Sequence, residues 1–275
     1  MKIKAAVLYE SNSPFVIEEI DLDEPKSGEV LVKVKAAGVC HSDWHLVTGS
    51  TKHSMPVVPG HEGAGIVESI GNKVKKIKPG NLVAFNWAPN CGDSCFYCLN
   101  ELPSLCSTYQ NAIWGGTMLD KSTRFSKSGN EIFHFSSIGC FAEYVVVPEE
   151  CCVTLDNELP SEIAALIGCA VSTGIGSVLN TAKFKPGSTV MVLGCGGVGL
   201  SIIMGAKLAG ASKIIAVDNI ATKLEIAKAS GADFLLMSNA ELADKILELT
   251  GGRGADYIFE AIGIPSIQEN CLNYV

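Results

Sequence analysis

The feature that most constrains this chain is a run of glycines between an apolar stretch and an apolar helix-like segment. Residues 189–193 read Thr-Val-Met-Val-Leu, then come Gly194, Cys195, Gly196, Gly197, Val198 and Gly199, then Leu200 and a further apolar run. Glycines spaced G-x-G-x-x-G between a strand and a helix meet three demands. Gly194 makes a tight turn, Gly196 lets backbone N–H groups approach a pyrophosphate, and Gly199 lets helix and strand pack closely. Asp218 ends the next apolar run, 19 residues after Gly199. A carboxylate there accepts from adenosine ribose hydroxyls and repels a 2′-phosphate, and Asn219 rather than an arginine follows it. The stretch therefore reads as a site for NAD rather than NADP, with a Gly-rich turn of some other α/β protein as the alternative.

The surrounding pattern supports a parallel sheet. Residues 189–193, 213–217, 234–237 and 257–261 read as strands, and 198–208, 221–229 and 240–249 as helices between them. Such alternation puts crossover helices between parallel strands. Ser161–Thr181 reads as helix–turn–helix, and a helix begins at Pro265. A doubly wound sheet has six strands and only four are found, so the chain is expected to be a C-terminally incomplete piece of a longer protein.

Residues 1 to about 150 have a different texture. Short apolar runs at 5–9, 30–39, 65–70, 82–85 and 141–147 are separated by turn pairs such as Ser27-Gly28 and Pro79-Gly80, as in a mostly β domain. Residues 91–139 have little periodicity and read as a long irregular excursion of the kind that carries a function or a metal. The expected class is thus α/β, a mostly β domain at 1–155 and a partial Rossmann domain at 156–275, the boundary falling near 155–180.

Composition excludes several alternatives. With 21 Lys and Arg against 29 Asp and Glu the net charge is −8, which weighs against phosphate neutralisation and hence nucleic acid. Two windows, 163–182 and 186–206, lack charge and pass a ~20-residue membrane rule. The first carries Ser172, Thr173, Ser177, Asn180 and Thr181, and the second holds six glycines, so neither is expected to span a membrane. The N-terminus alternates charged and apolar residues without the apolar core of a signal peptide, and a cytoplasmic location is the expectation.

Eleven cysteines, an odd number without a secretion signal, point to reduced thiols. Four of them, Cys91, Cys95, Cys98 and Cys106, fall within sixteen residues. Four sulfurs from one loop make a closed tetrahedral Zn²⁺ shell with no open position, an iron–sulfur cluster being the alternative.

Three further segments, Gly38–His45 with Cys40, 59–65 with His61, and 166–173 with Cys169, have bland readings singly. Together with the glycine run and the cysteine loop they resemble the zinc-dependent alcohol dehydrogenases of the medium-chain dehydrogenase/reductase superfamily. Gly60-His-Glu-Gly-Ala-Gly65, continuing to Gly71 and Val74, matches that family's zinc signature, and the resemblance covers nearly the whole chain. It implies a GroES-like catalytic domain followed by the Rossmann domain. It also implies two zinc ions per subunit, NAD, and an alcohol or aldehyde substrate.

Residue by residue, the resemblance implies that Cys40, His61 and Cys169 hold the catalytic Zn²⁺, leaving a fourth position for substrate. Glu62 lies behind the metal and approaches it during ligand exchange, and Asp43 orients the His61 ring. Ser42 takes the alcohol proton and passes it through the cofactor ribose to His45. His41 lies near the pyrophosphate, Thr173 and Val198 flank the nicotinamide, Lys223 joins Asp218 at the ribose, and Trp87 lines the substrate pocket. The family's Rossmann edge makes a homo-oligomer the expectation for the full-length protein.

Three departures stand out. Three residues separate Cys91 and Cys95 where the family commonly has two. Residues 50–56 lack the acidic residues with which glutathione-dependent formaldehyde dehydrogenases hold substrate, while Phe85-Asn-Trp-Ala and Cys195-Gly-Gly-Val-Gly look like the mycothiol-type branch. The family's C-terminal part is missing, although 109–139 resembles the liver-type branch. The function expected is hydride transfer between NAD and a primary or aromatic alcohol. An S-(hydroxymethyl)thiol substrate and an inactive metal-binding fragment are the alternatives.

Overall fold

A computed structural model describes all of residues 1–275. The chain divides into two compact units, Met1–Cys169 and Ala170–Val275. The division falls inside the helical stretch Ser161–Thr181.

The first unit is built on ten strands: β1 (Lys2–Val7), β2 (Val16–Leu22), β3 (Glu29–Ala37), β4 (Val57–Val58), β5 (Gly63–Ile70), β6 (Leu82–Phe85), β7 (Phe125–Lys127), β8 (Asn130–His134), β9 (Tyr144–Pro148) and β10 (Cys152–Leu155). They form two five-stranded sheets, ordered β1-β2-β7-β8-β4 and β10-β6-β5-β3-β9. Almost all pairs are antiparallel, and residues such as Val7, Ile20, Val30, Val83, Phe125 and Val146 from both sheets meet in one core. Four helices decorate this unit: α1 (His41–Val47), α2 (Phe96–Leu99), α3 (Ser107–Gly115) and α4 (Ser161–Leu166).

The excursion at 91–139 is more regular than its composition suggests. It holds α2, α3 and the β7–β8 hairpin, which β2 extends. The hairpin is anchored by a buried cation. Arg124 donates from Nε to Glu29 at 2.8 Å and from Nη2 to Asp120 at 3.0 Å, while its backbone N–H donates to His134 Nε2 at 2.9 Å. The fully buried His134 ring stacks on Phe125 at 4.2 Å and donates from Nδ1 to the Ile138 carbonyl.

The stretch Ser161–Thr181 is helical throughout, with no turn. Its two α-helical pieces are joined and followed by π-helical turns at Ile167–Val171 and Ser177–Thr181. Gly168, in the first of these turns, serves a close approach: a Cβ there would stand 1.9 Å from the Phe85 carbonyl oxygen. By length and composition this stretch would suffice to cross a membrane, with a mean hydropathy of 1.7. Its first part packs on β3, β5 and β6, burying Ala164 and Ala165 against Ala64 and Leu82.

The second unit is a four-stranded parallel sheet of order β13-β12-β11-β14, with β11 (Thr189–Leu193), β12 (Lys213–Asp218), β13 (Phe234–Met237) and β14 (Tyr257–Glu260). Its helices are α5 (Ser172–Gly176), α6 (Gly197–Leu208), α7 (Ala221–Ser230), α8 (Leu242–Thr250) and α9 (Pro265–Asn270). One core, with Val190, Val192, Ile203 and Leu224, lies on one face of the sheet, and another, with Met191, Ile215, Leu242 and Ile246, on the other.

Candidate active site

The first unit gathers its chemistry at the start of α1. Cys40 occupies the N-cap, followed three residues later by Asp43. Asp43 Oδ2 accepts the Cys40 backbone N–H at 3.0 Å, and its Oδ1 accepts the Gly60 N–H at 3.0 Å and lies 3.3 Å from His61 Nδ1. One buried carboxylate thus ties together two segments that are distant in sequence. With Nδ1–H directed at Asp43, the His61 tautomer leaves Nε2 as a lone-pair donor. The Phe135 ring meets the His61 ring edge-on at 5.2 Å and closes its other side.

Cys169 arrives from the π-helical turn Ile167–Val171, whose position is set by the contact of Gly168 with Phe85. Its sulfur lies 3.9 Å from Cys40 Sγ. One donor atom each from Cys40, His61 and Cys169 lies within 4.8 Å of the others. Two thiolates on a tetrahedral zinc at ~2.3 Å each stand about 3.8 Å apart, so the sulfur spacing fits the ion.

The electrostatics fit it as well. Cys169's hydrogen bond holds the Cys40 thiol far below its ordinary pKa, while that bond, burial and the nearby Glu62 and Asp43 charges push Cys169 up. Burial works against a charge on His61, yet its hydrogen bonds to Asp43 and Cys40 prevail and raise it to about 9. Buried negative charge that draws a proton onto imidazole suits a dication equally well. Glu62 is itself buried, its carboxyl lying against Gly38.

Ser42 is half-buried, its Oγ 3.7 Å from Cys40 Sγ. One turn on, His45 is exposed and packs edge-on against His41 at 5.1 Å. Trp87, two residues beyond β6, packs on the core of the first unit. Sequence reasoning missed Phe135 and Cys140. The Cys140 sulfur is so near the ligand loop that a Cβ on Gly60 or Gly63 would stand 2.9 Å from it. Neither carries a local signal, since both reach the site only through the fold.

Cys91, Cys95, Cys98 and Cys106 form a second cluster with all sulfurs within 4.8 Å. Cys91 and Cys98 are 3.6 Å apart, and Cys95 and Cys106 3.8 Å. The three-residue gap between Cys91 and Cys95 leaves all four sulfurs together. Cys95 and Cys106 are the N-caps of α2 and α3, where first-turn N–H groups favour thiolates. The backbone N–H of Cys98 foremost holds Cys95 down to about 5. The donor set and spacing fit a closed tetrahedral zinc.

In the second unit the glycine run turns between β11 and α6. Gly194 has φ +89°, and a Cβ on Gly199 would stand 1.8 Å from the Gly194 carbonyl oxygen. Nothing lies within 4 Å of a Cβ on Gly196, so the middle of the turn faces open space. Asp218 Oδ2 accepts the Cys195 N–H at 2.8 Å and Oδ1 the Ile220 N–H at 2.9 Å, which locks the turn to the end of β12 and leaves lone pairs on both oxygens. Lys223 lies in the first turn of α7. α5 packs on α6 through Gly174, where a Cβ would stand 2.6 Å from the Val198 carbonyl, and Thr173, next to Gly174, is exposed. Gly197 opens α6 and is exposed.

Residues 26–157 match the alcohol dehydrogenase GroES-like domain family, and 197–275 match the zinc-binding dehydrogenase family. Among solved structures, an alcohol dehydrogenase zinc-binding domain protein from Burkholderia ambifaria is 33% identical with a TM-score of 0.92. Benzyl alcohol dehydrogenase from Acinetobacter calcoaceticus is 32% identical with a TM-score of 0.90. In both cases the similarity covers 100% of this chain and 74% of the other. A short chain alcohol dehydrogenase from E. coli, complexed with NADH, is 29% identical at a TM-score of 0.79, covering 100% and 73%. The chain therefore belongs to the zinc-dependent alcohol dehydrogenases of the medium-chain dehydrogenase/reductase superfamily, oxidoreductases acting on alcohols.

Proposed function

We propose that the protein catalyses the reversible reaction of a primary alcohol with NAD⁺ to give an aldehyde, NADH and a proton. The observation that carries this reading is the convergence of Cys40, His61 and Cys169, three protein donors, one fewer than a tetrahedral zinc takes. When bound, a zinc ion there supplies Lewis-acid polarisation of the alcohol oxygen, and NAD⁺ accepts the hydride.

The chain's own residues perform the rest. Asp43 holds His61 in the tautomer that presents Nε2 and fixes the Cys40 backbone, so the donors are preorganised. Ser42 Oγ would receive the alcohol proton, and the exposed His45 on the same helix would release a proton to solvent. In the second unit Asp218, with Lys223 nearby in sequence, would accept from a ribose hydroxyl of the bound cofactor, Gly194–Gly199 would cradle its pyrophosphate, and Thr173 and Val198 would flank its nicotinamide. Glu62, buried next to the donor His61, would assist ligand exchange at the metal, and Trp87 would border the substrate. Cys91, Cys95, Cys98 and Cys106 hold a second zinc that fixes their loop, which makes two per chain. Eleven cysteines, none of them in a disulfide, suit a cytoplasmic protein, and we infer a homo-oligomer without nucleic-acid or membrane partners.

Metal content and NADH formation from ethanol and benzyl alcohol test this reading. Two zinc ions per chain with NADH produced are expected. Zinc bound without turnover of any alcohol, in folded protein, refutes it.

A further inference from the structure

A cavity of about 870 Å³ lies in the first unit between the segment 73–77 and β10. Lys73, Lys75 and Lys76 line it, together with Asn90 and with Val153 and Thr154 of β10. None of Cys40, His61, Cys169 or the four clustered cysteines does. Three lysines on one cavity are unexpected in a chain whose net charge is −8.

The segment is fixed by its backbone and leaves its amino groups unused. Glu149 Oε1 accepts the N–H of Lys75 at 2.9 Å and that of Lys76 at 2.5 Å. The Gly71 N–H donates to the Glu29 carbonyl and the Gly80 N–H to the Val67 carbonyl, both at 2.8 Å. Between these anchors the Ile77 side chain is buried in the core, while the three lysines are exposed. The lysine ion pairs of the chain are made by Lys2, Lys26, Lys127 and Lys245, so the ammonium groups at 73, 75 and 76 have no carboxylate of their own. Two carboxylates also line the cavity, and each is engaged. Glu149 holds the two N–H groups, and Glu150 lies beside the Tyr109 hydroxyl, which burial and this carboxylate push up.

We propose that this cavity binds a small molecule through a di- or triphosphate chain, with Lys73, Lys75 and Lys76 as its counter-ions. The site is independent of the alcohol-oxidising reading above. Lysine serves phosphate as a point charge and needs no fixed fork geometry, so side chains on an exposed segment suffice. Residues 73 to 76 span up to about 10 Å of backbone, which suits a chain of phosphates better than a single one. Neutral donors complete the wall. Asn90 Oδ1 accepts the Gly92 N–H at 3.1 Å, which leaves the Asn90 amide N–H groups to donate, and Thr154 brings a hydroxyl. The acidic remainder of the chain does not oppose binding at close range. At physiological salt the screening length is about 8 Å, so a ligand in the cavity meets the three ammonium groups and little of the distant charge.

The test is calorimetric titration of the zinc-loaded chain with inorganic triphosphate in about 0.15 M salt. Saturable binding is expected, weakened at least about tenfold in the double variant Lys75→Gln/Lys76→Gln and for inorganic monophosphate in place of triphosphate. Both side chains are exposed and Glu149 bonds only their backbone, so the double variant should keep its Tm. No saturation below about 1 mM in the unmodified chain overturns the inference. Equal affinity in the double variant, or equal affinity for monophosphate, overturns it too. Acetylation of lysines, mapped by mass spectrometry, locates the ligand. Protection of Lys73, Lys75 and Lys76 by triphosphate supports the site. Protection confined to Lys223 places the ligand at the glycine turn of the second unit and overturns it.

Discussion

Asp43 carries more of the metal site than its single charge suggests, because its two oxygens hold the Cys40 backbone, the Gly60 backbone and the His61 ring at once. Asp43→Ala is expected to weaken zinc binding 10- to 100-fold, read by chelator competition, with Asp43→Asn falling between. A second residue-scale prediction concerns His134, whose burial lowers its pKa to about 3. The folded value lies below the unfolded one near 6.5. Between those values the unfolded chain binds more protons, so stability falls as pH falls. The loss is up to about 1.4 kcal/mol per pH unit, and Tm measured from pH 7 to 4.5 should drop less steeply in His134→Gln. The two sites differed in legibility. The four clustered cysteines announce themselves by type and spacing, whereas Cys40 and His61 are legible only through the resemblance of their segments to the family. The Arg124–Glu29 pair spans 95 residues, and nothing local to either marks it.

At the scale of elements, the β11–α6 turn was readable because its pattern is local: Gly199 answers the Gly194 carbonyl five residues earlier. Gly199→Val would force a side chain into the Gly194 carbonyl, 1.8 Å from the first atom added. Loss of NADH binding is expected, with a lowered Tm, measured by NADH fluorescence and thermal unfolding; Gly196→Ala, which meets nothing, should keep the Tm. In Asp218→Gly the preference for NAD over NADP should narrow at least tenfold in kcat/KM, since the carboxylate that repels a 2′-phosphate is gone. The β7–β8 hairpin was not readable. Its strands are three and five residues long and expose most of one face, so alternation has no length in which to show. The unbroken helix over Ser161–Thr181, where helix–turn–helix is expected, was not readable, since the contact of Gly168 with the Phe85 carbonyl arises only in the fold.

For the whole molecule, the two units have separate cores and different dependence on metal. The parallel sheet is held by apolar layers on both faces, whereas the cysteine loop has only a small cluster around Tyr109 and Ile113. Cys98→Ser is expected to lower zinc content from about two to about one per chain. Limited proteolysis should then cut first within residues 91–119, while the second unit stays protected. The overall division into a β domain and an alternating α/β domain was legible, because the two periodicities differ over many residues. Only a range near 155–180 can be read for the boundary, since a continuous helix runs through it.

The contact between Gly168 and Phe85 also limits how this protein can vary. Any side chain at 168 must move its Cβ from 1.9 Å to at least 3 Å from a backbone oxygen, and backbone cannot rotate aside as a side chain does. The displacement would pass undiminished to Cys169, one peptide bond away, and spoil sulfur distances that tolerate about 0.2 Å. The reach of the third ligand is thus gauged by a hydrogen atom. A library of variants at 168 should contain folded proteins with empty or distorted metal sites, and glycine alone should restore full occupancy.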